Sequence, residues 1–148
     1  MSDNFITVIP TDPYWVPTRA QARAAGDAFR ALAPDAQEFS VTLHPSAVFI
    51  DAGSNFERVA CPNCDATLDM SWFGEHFSDA GDFSDLRVVV PCCNASTNLN
   101  DLVYEWPQGF ARWEARVRAP GRGSLFRDEI ESVAAALGHE VRVIYTHY

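Results

Sequence analysis

All four cysteines of this chain lie in two clusters, Cys61-Pro62-Asn63-Cys64 and Pro91-Cys92-Cys93. Four thiolates arranged as a CPxC knuckle plus a second cysteine pair suit a tetrahedral zinc ion. In such a knuckle two thiolates converge on one ion while backbone N–H groups point at the sulfurs. Proline at the second position helps to fix the turn. Strand-like Phe56–Ala60 leads into the first cluster and strand-like Leu86–Val90 into the second, so that two adjacent strand ends present ligands to one metal, as in a zinc ribbon. Neighbouring residues of an extended strand point to opposite sides. Cys92 and Cys93 therefore both ligate only if the chain turns sharply there, and Asn94 tolerates the left-handed conformation that supplies such a turn. Otherwise one of the pair is a bystander, and His44, His76 or an acidic side chain completes the site. The competing readings are buried thiols without a metal and a redox or disulfide role. A closed quartet leaves no position for water, so the expected cofactor is a structural Zn2+ held by Cys61, Cys64, Cys92 and Cys93 and not a catalytic one.

The 148 residues match the size of a single domain, and a hydrophobic content of 47% is ample for a core. No stretch of about 18 apolar residues appears, so no membrane span is expected. The short acidic start, Met1-Ser2-Asp3-Asn4, is unlike a signal peptide. The expectation is a cytoplasmic protein with reduced thiols, which favours a metal over a disulfide. The net charge of −9 is unevenly placed. Residues 35–105 hold twelve acidic groups, Asp79 and Asp82 among them, against only Arg58 and Arg87, giving −10 there and +1 in the two flanks together. A zinc ion on four thiolates adds about −2 more. Phosphate neutralisation needs Lys and Arg, so this segment is a poor candidate for nucleic acid, whereas an acidic surface suits a basic protein partner or simple solvation.

Periodicity gives an α+β order. Phe5–Ile9 reads as a strand. A helix follows with Thr18 as N-cap, Gln21 completing a capping box, and Ala22, Ala25, Phe29 and Leu32 on one face. Phe39, Val41 and Leu43 alternate as a second strand. In the C-terminal third, 112–118 alternates polar and apolar residues. Ser124 can then cap a helix with Phe126, Ile130, Val133 and Leu137 on one face and Gly138 as its stop, and Val141–Tyr145 is the last strand. The order β-α-β-insert-β-α-β is that of a ferredoxin-like split βαβ sandwich. The single 1–148 domain would carry a zinc-ribbon-like insert over 45–105, between the second and third strands. The rival is one α+β sheet that the ribbon strands simply continue. Within the insert, Val48–Ile50 reads as a further short strand, Asp51–Asn55 as a hairpin turn, and Met70–Phe77 as one or two helical turns.

Beyond the cysteines, Glu75-His76 with Asp69 nearby is the only acid/histidine cluster suited to acid–base or metal chemistry. Its competing reading is an exposed polar patch. Trp72, Phe73, Phe77 and Phe83, then Tyr104, Trp106, Phe110 and Trp113, should mostly be core, with some left to anchor a binding face. No phosphate-cradling glycine loop and no GxSxG is present.

Ile9-Pro10-Thr11-Asp12-Pro13, the two cysteine clusters, Leu99-Asn100-Asp101-Leu102, Trp106-Pro107-Gln108-Gly109-Phe110 and Val143-Ile144-Tyr145-Thr146-His147-Tyr148 together make the chain resemble an uncharacterised bacterial protein family. That family typically shows CPxCG and PCCG, whereas Asp65 and Asn94 stand at the glycine positions here. The resemblance implies zinc and a bacterial origin, and no activity. The expected function is a non-enzymatic, zinc-stabilised protein-binding module, in the manner of an immunity or antitoxin protein that neutralises a basic partner such as a nuclease toxin. The alternative is a metal-dependent or acid/base enzyme with a site around Glu75 and His76. A nucleic-acid-binding ribbon requires the arginines of 112–127 to form one basic face.

Overall fold

A computed structural model of the protein describes residues 3–78 and 83–148; Asp79 and Asp82, and Met1 and Ser2 of the acidic start, lie outside the described residues. The chain runs β1 (Asn4–Pro10), α1 (Arg19–Leu32), β2 (Glu38–Ile50), β3 (Arg58–Ala60), α2 (Met70–Ser78), β4 (Arg87–Val89), β5 (Ser96–Asn98), a 3-10 turn (Leu99–Asp101), β6 (Val103–Glu105), β7 (Gly109–Arg118), α3 (Arg127–Leu137) and β8 (Val141–His147). Four strands form one antiparallel sheet in the order β2-β7-β1-β8. The strands of the intervening segment pair among themselves, β3 with β6 and β4 with β5, and do not continue that sheet.

Strand alternation sends Ile6 and Val8 of β1 and Trp113, Ala115 and Val117 of β7 to the face covered by the helices, where they meet Phe29 of α1 and Val133 and Leu137 of α3. Burying each large apolar side chain contributes about 1.5–3 kcal/mol. The predicted start of α1 is found: Thr18 accepts from the Gln21 N–H at 3.2 Å and the Gln21 side chain accepts from the Thr18 N–H at 2.8 Å. The predicted start of α3 is not. Its N-cap is Phe126 and not Ser124, with the Glu129 carboxylate accepting from the Phe126 N–H at 2.8 Å, and Phe126 is 68% exposed and not part of the apolar face. Gly138 ends the helix as expected, at φ 80°.

Val48–Ile50 is a second correction. These residues are the last part of β2, paired with Gly109–Ala111 of β7 after a register shift between Leu43 and Val48. Pro45 lies in that irregularity; it cannot donate a ladder hydrogen bond, so the strand bulges there and then resumes.

A second core fills the intervening segment. Val59, Leu68, Phe73, Leu86, Val88, Val90, Leu99, Leu102 and Tyr104 are buried with Phe110 of β7, and Phe49, Phe56, Trp72, Phe77 and Phe83 pack against them. The predicted aromatic clusters are thus core, Trp113 in the helix-covered core and the rest in the ribbon, apart from Trp106, which is 40% exposed. A buried polar knot joins this segment to the sheet. Asn100, 3% exposed, donates to the Thr11 carbonyl at 2.9 Å and accepts from the Phe110 N–H at 2.9 Å. The Arg142 guanidinium donates to the carbonyls of Asn100 and Gln108, at 3.0 and 2.8 Å. Gly109 leaves room for this contact, since a Cβ there would stand 2.6 Å from Arg142 Nη1.

Candidate metal centre

The two cysteine clusters are built on the same turn. In Cys61–Ala66, the Cys61 N–H donates to the Ala66 carbonyl and the Asp65 N–H to the Cys61 carbonyl, both at 2.9 Å. In Val90–Ala95, the Val90 N–H donates to the Ala95 carbonyl and the Asn94 N–H to the Val90 carbonyl, both at 3.0 Å. Proline is second in each turn, and the fifth residue is left-handed in each, Asp65 at φ 62° and Asn94 at φ 61°. The turns differ in which positions carry sulfur: first and fourth in one (Cys61, Cys64), third and fourth in the other (Cys92, Cys93), where buried Val90 takes the first place.

This offset answers how two adjacent cysteines share one centre. Positions three and four of a tight turn are not successive residues of an extended strand, so their side chains need not diverge. The Cys64 and Cys92 sulfurs lie 3.4 Å apart and those of Cys61 and Cys93 3.8 Å apart. All four sulfurs fall within 4.8 Å of one another, and the cysteines are free thiols, not disulfides. A tetrahedral ion with metal–sulfur distances of about 2.3 Å sets its sulfurs about 3.8 Å apart. The 3.4 and 3.8 Å pairs lie near that spacing, and the quartet could hold a metal ion.

The surroundings favour thiolates at some positions more than others. Cys61 is buried and its sulfur accepts from the Asn63 N–H at 3.3 Å. The Asn63 side-chain amide reaches across to donate to Cys93 Sγ at 3.3 Å. That bond, with a second from the Ala95 N–H, brings the Cys93 thiol down to about 7. Cys92 goes the other way. The residue is exposed, but its sulfur faces the other three thiols, and this local loss of water together with their hydrogen bonds pushes it up to about 12. A metal held here would require Cys92 to give up its proton, and its positive charge would let four sulfurs ionise side by side.

The other sequence candidates are placed elsewhere. His44 Nε2 is 2.7 Å from Glu114 Oε2, in the four-stranded sheet and not at the cysteines. His76 sits in the last turn of α2 with its ring edge-on to Trp72, 4.8 Å between centroids. Asp69 caps the start of the same helix, accepting from the Ser71 N–H at 2.7 Å and the Ser71 hydroxyl at 2.6 Å, which lowers its carboxyl pKa. Asp69 and His76 are seven residues apart, about 10 Å along the helix axis, so they do not converge. These contacts do not bring Asp69 to His76. The pairing of His44 with Glu114 had no local signal in the sequence, because it is made by strand register across 70 residues.

Among the described residues no helix is long and apolar enough to cross a membrane. Comparison with family models, curated proteins and solved structures finds no match to this chain.

Proposed function

We propose that the four cysteines hold a structural zinc ion and that the chain is a non-enzymatic module binding a basic protein partner. The sulfur quartet carries the first half of this reading: four thiols at tetrahedral spacing fill every position of the ion and leave none for substrate. The sheet order β2-β7-β1-β8 supports reading the frame as a ferredoxin-like split βαβ sandwich, with the zinc-ribbon-like insert between its second and third strands. The bacterial family that the motifs resemble remains the proposed kinship. Its support is physical: Thr11, Asn100, Gln108 and Gly109, all within the quoted motifs, meet at the knot that joins ribbon to sheet.

The surface supports the second half. Glu57, Asp65, Asp69, Asp85, Asp101 and Glu105 are exposed on the ribbon, and Val89, Val103 and Trp106 stand exposed on the same segment. Carboxylates around a few apolar anchors suit a basic protein surface, of the kind a nuclease toxin presents to its immunity protein. Three of the arginines of 112–127 are engaged within the chain, which weighs against an equivalent basic face. Arg118 pairs with Glu38 at 2.8 Å and Arg122 with Glu129 at 2.7 Å, and Arg112 donates to the His44 carbonyl.

Two measurements test the proposal. Elemental analysis of protein purified without added metal should give one zinc per chain; a metal-free protein with full native stability would remove the staple. Cross-linking and pull-down from the native host should recover a basic protein whose affinity falls steeply with salt. Recovery of no partner, or of one whose binding ignores salt, overturns the binding reading.

A further inference from the structure

The face of the four-stranded sheet turned away from α1 and α3 carries a second cluster of polar side chains. Register sets Thr7 of β1 opposite Arg116 of β7, and Glu114, two residues along β7, shares their face. Together with Asp51, Thr146 and Tyr148 these side chains surround a cavity of about 120 Å³. Val48, Phe49 and Ile50, the end of β2 beyond its bulge, close its apolar wall.

Several of the polar groups here have partners. Glu114 Oε2 meets His44 Nε2 at 2.7 Å. The Asp51 carboxylate accepts from the Tyr148 hydroxyl and from the Gly53 N–H, each at 2.9 Å, and the Thr146 hydroxyl donates to the Asp51 carbonyl at 2.6 Å. Arg116 also acts on the Tyr148 hydroxyl through a side-chain hydrogen bond, but two polar atoms are left over. Thr7 is 1% exposed, and both its Oγ1 and the Nε of Arg116 are buried without a hydrogen-bond partner. The Arg116 guanidinium cannot simply swing out, because it lies over the Phe5 ring, 3.8 Å from its centroid. Buried polar groups in folded proteins are almost always satisfied. Two orphans opposite each other on neighbouring strands, both lining one cavity, point to a partner that is not part of the chain.

The lining selects that partner. Arg116 and the Thr7 hydroxyl offer donors to a carboxylate. Glu114 and Asp51 offer acceptors to an ammonium. The volume corresponds to about four waters at roughly 30 Å³ each, far below the ~300–1,000 Å³ of sites for drug-sized ligands. We propose that this cavity binds a small zwitterion of the α-amino acid class, the size of glycine or alanine, with its carboxylate on Arg116 and Thr7 and its ammonium on Glu114 and Asp51.

The test is a titration of the full chain, 15N-labelled and zinc-loaded, with glycine, L-alanine, L-phenylalanine, acetate and ethylammonium, followed by amide chemical shifts. Glycine or L-alanine should give saturable shifts at Thr7, Glu114, Arg116 and Thr146, and L-phenylalanine none. Acetate and ethylammonium, each carrying half of the head group, should bind roughly tenfold or more weakly, the loss of a charge-assisted hydrogen bond. Thr7→Val keeps the shape and removes the hydroxyl. Glu114→Gln keeps a partner for His44 and removes the charge. Each should weaken glycine or L-alanine binding by a similar factor while the rest of the spectrum stays native. Absence of saturable shifts overturns the proposal, as do variants that bind undiminished or a crystal grown with glycine that shows only ordered water in the cavity. If either variant fails to fold, the head-group and size series on the unaltered chain decides the matter by itself.

Discussion

Asp65 and Asn94 occupy the same position in two copies of one turn, at φ 62° and 61°. A residue with a Cβ is disfavoured there, and Asn and Asp are the non-glycine residues that tolerate it best because their short polar side chains bond locally. Substitution by glycine, the residue of the CPxCG and PCCG patterns, removes the steric cost. Asn94→Gly should therefore be neutral or stabilise by up to ~1 kcal/mol. Asn94→Val, branched at Cβ, should cost ~1–2 kcal/mol or more. Urea unfolding of the zinc-saturated variants measures both, and a valine tolerated without loss would mean that the turn is not held as described.

Asn63 should lower the pH at which the centre can take a metal. Its amide bond to Cys93 Sγ is the main reason that thiol falls from the ordinary 9 to about 7. A lowered acid constant contributes stability that is present above the unfolded value and lost as pH falls through the folded one. In the metal-free protein the Cys93 contribution is thus complete above about 9 and lost on descending through about 7. Asn63→Ala removes the donor and returns the thiol toward its ordinary value. The pH midpoint of zinc binding, followed by competition with a chromophoric chelator, should move upward, with affinity at neutral pH reduced by roughly tenfold or less. An unchanged midpoint would show that the amide does not act on the sulfur.

What the sequence made legible was whatever is written locally. The Thr18/Gln21 box, the stop at Gly138 and the Cys61/Cys64 knuckle are short-range patterns, and each stands where its residues predict. The continuation of β2 past Pro45 was hidden, because a proline reads as a break while the register that rescues the strand comes from β7. The start of α3 was misplaced for a related reason. Ser124 looks like a cap, yet Glu129 reaches back to the Phe126 N–H and begins the helix later. At the centre, sequence could name four cysteines but not show whether Cys92 and Cys93 both reach one cluster. That needed the offset between two equivalent turns, which their backbone hydrogen bonds reveal.

The Arg142 knot should be a point of high stability cost. Arg142 is half-buried, and burial lowers its pKa although Asp101 and Tyr104 nearby act on it electrostatically. It satisfies carbonyls of Asn100 and Gln108 that have little access to water. Arg142→Met keeps most of the stem packing but orphans those carbonyls, at ~1–3 kcal/mol for each group left unsatisfied. Asn100→Ala should cost ~2–4 kcal/mol, since it releases Thr11 and Phe110 together. The double variant should cost clearly less than the sum, because both act on one network; chemical denaturation of all three proteins gives the coupling.

The metal should hold the ribbon and not the whole chain. Cys61 belongs to the apolar cluster of Val59, Val88, Val90 and Tyr104, whereas the helix-covered core of Val8, Phe29, Trp113 and Leu137 contains no cysteine. Among the described residues, Phe49 and Phe110, on β2 and β7, are the ones that reach from the sheet into the ribbon core. Stripping the metal with a chelator under reducing conditions, or Cys64→Ser, should therefore loosen residues 56–105 first and leave the sheet protected. Hydrogen exchange is the suitable readout. Amides of Val59, Val88 and Leu99 should lose most of their protection, while those of Val8, Ala115 and Val143 keep most of theirs. Structural zinc sites contribute folding free energy outright, on the order of 10 kcal/mol in zinc-finger peptides, so the ribbon should collapse as a unit and not fray. Uniform loss of protection across both cores would show instead that the polar knot makes ribbon and sheet a single cooperative unit.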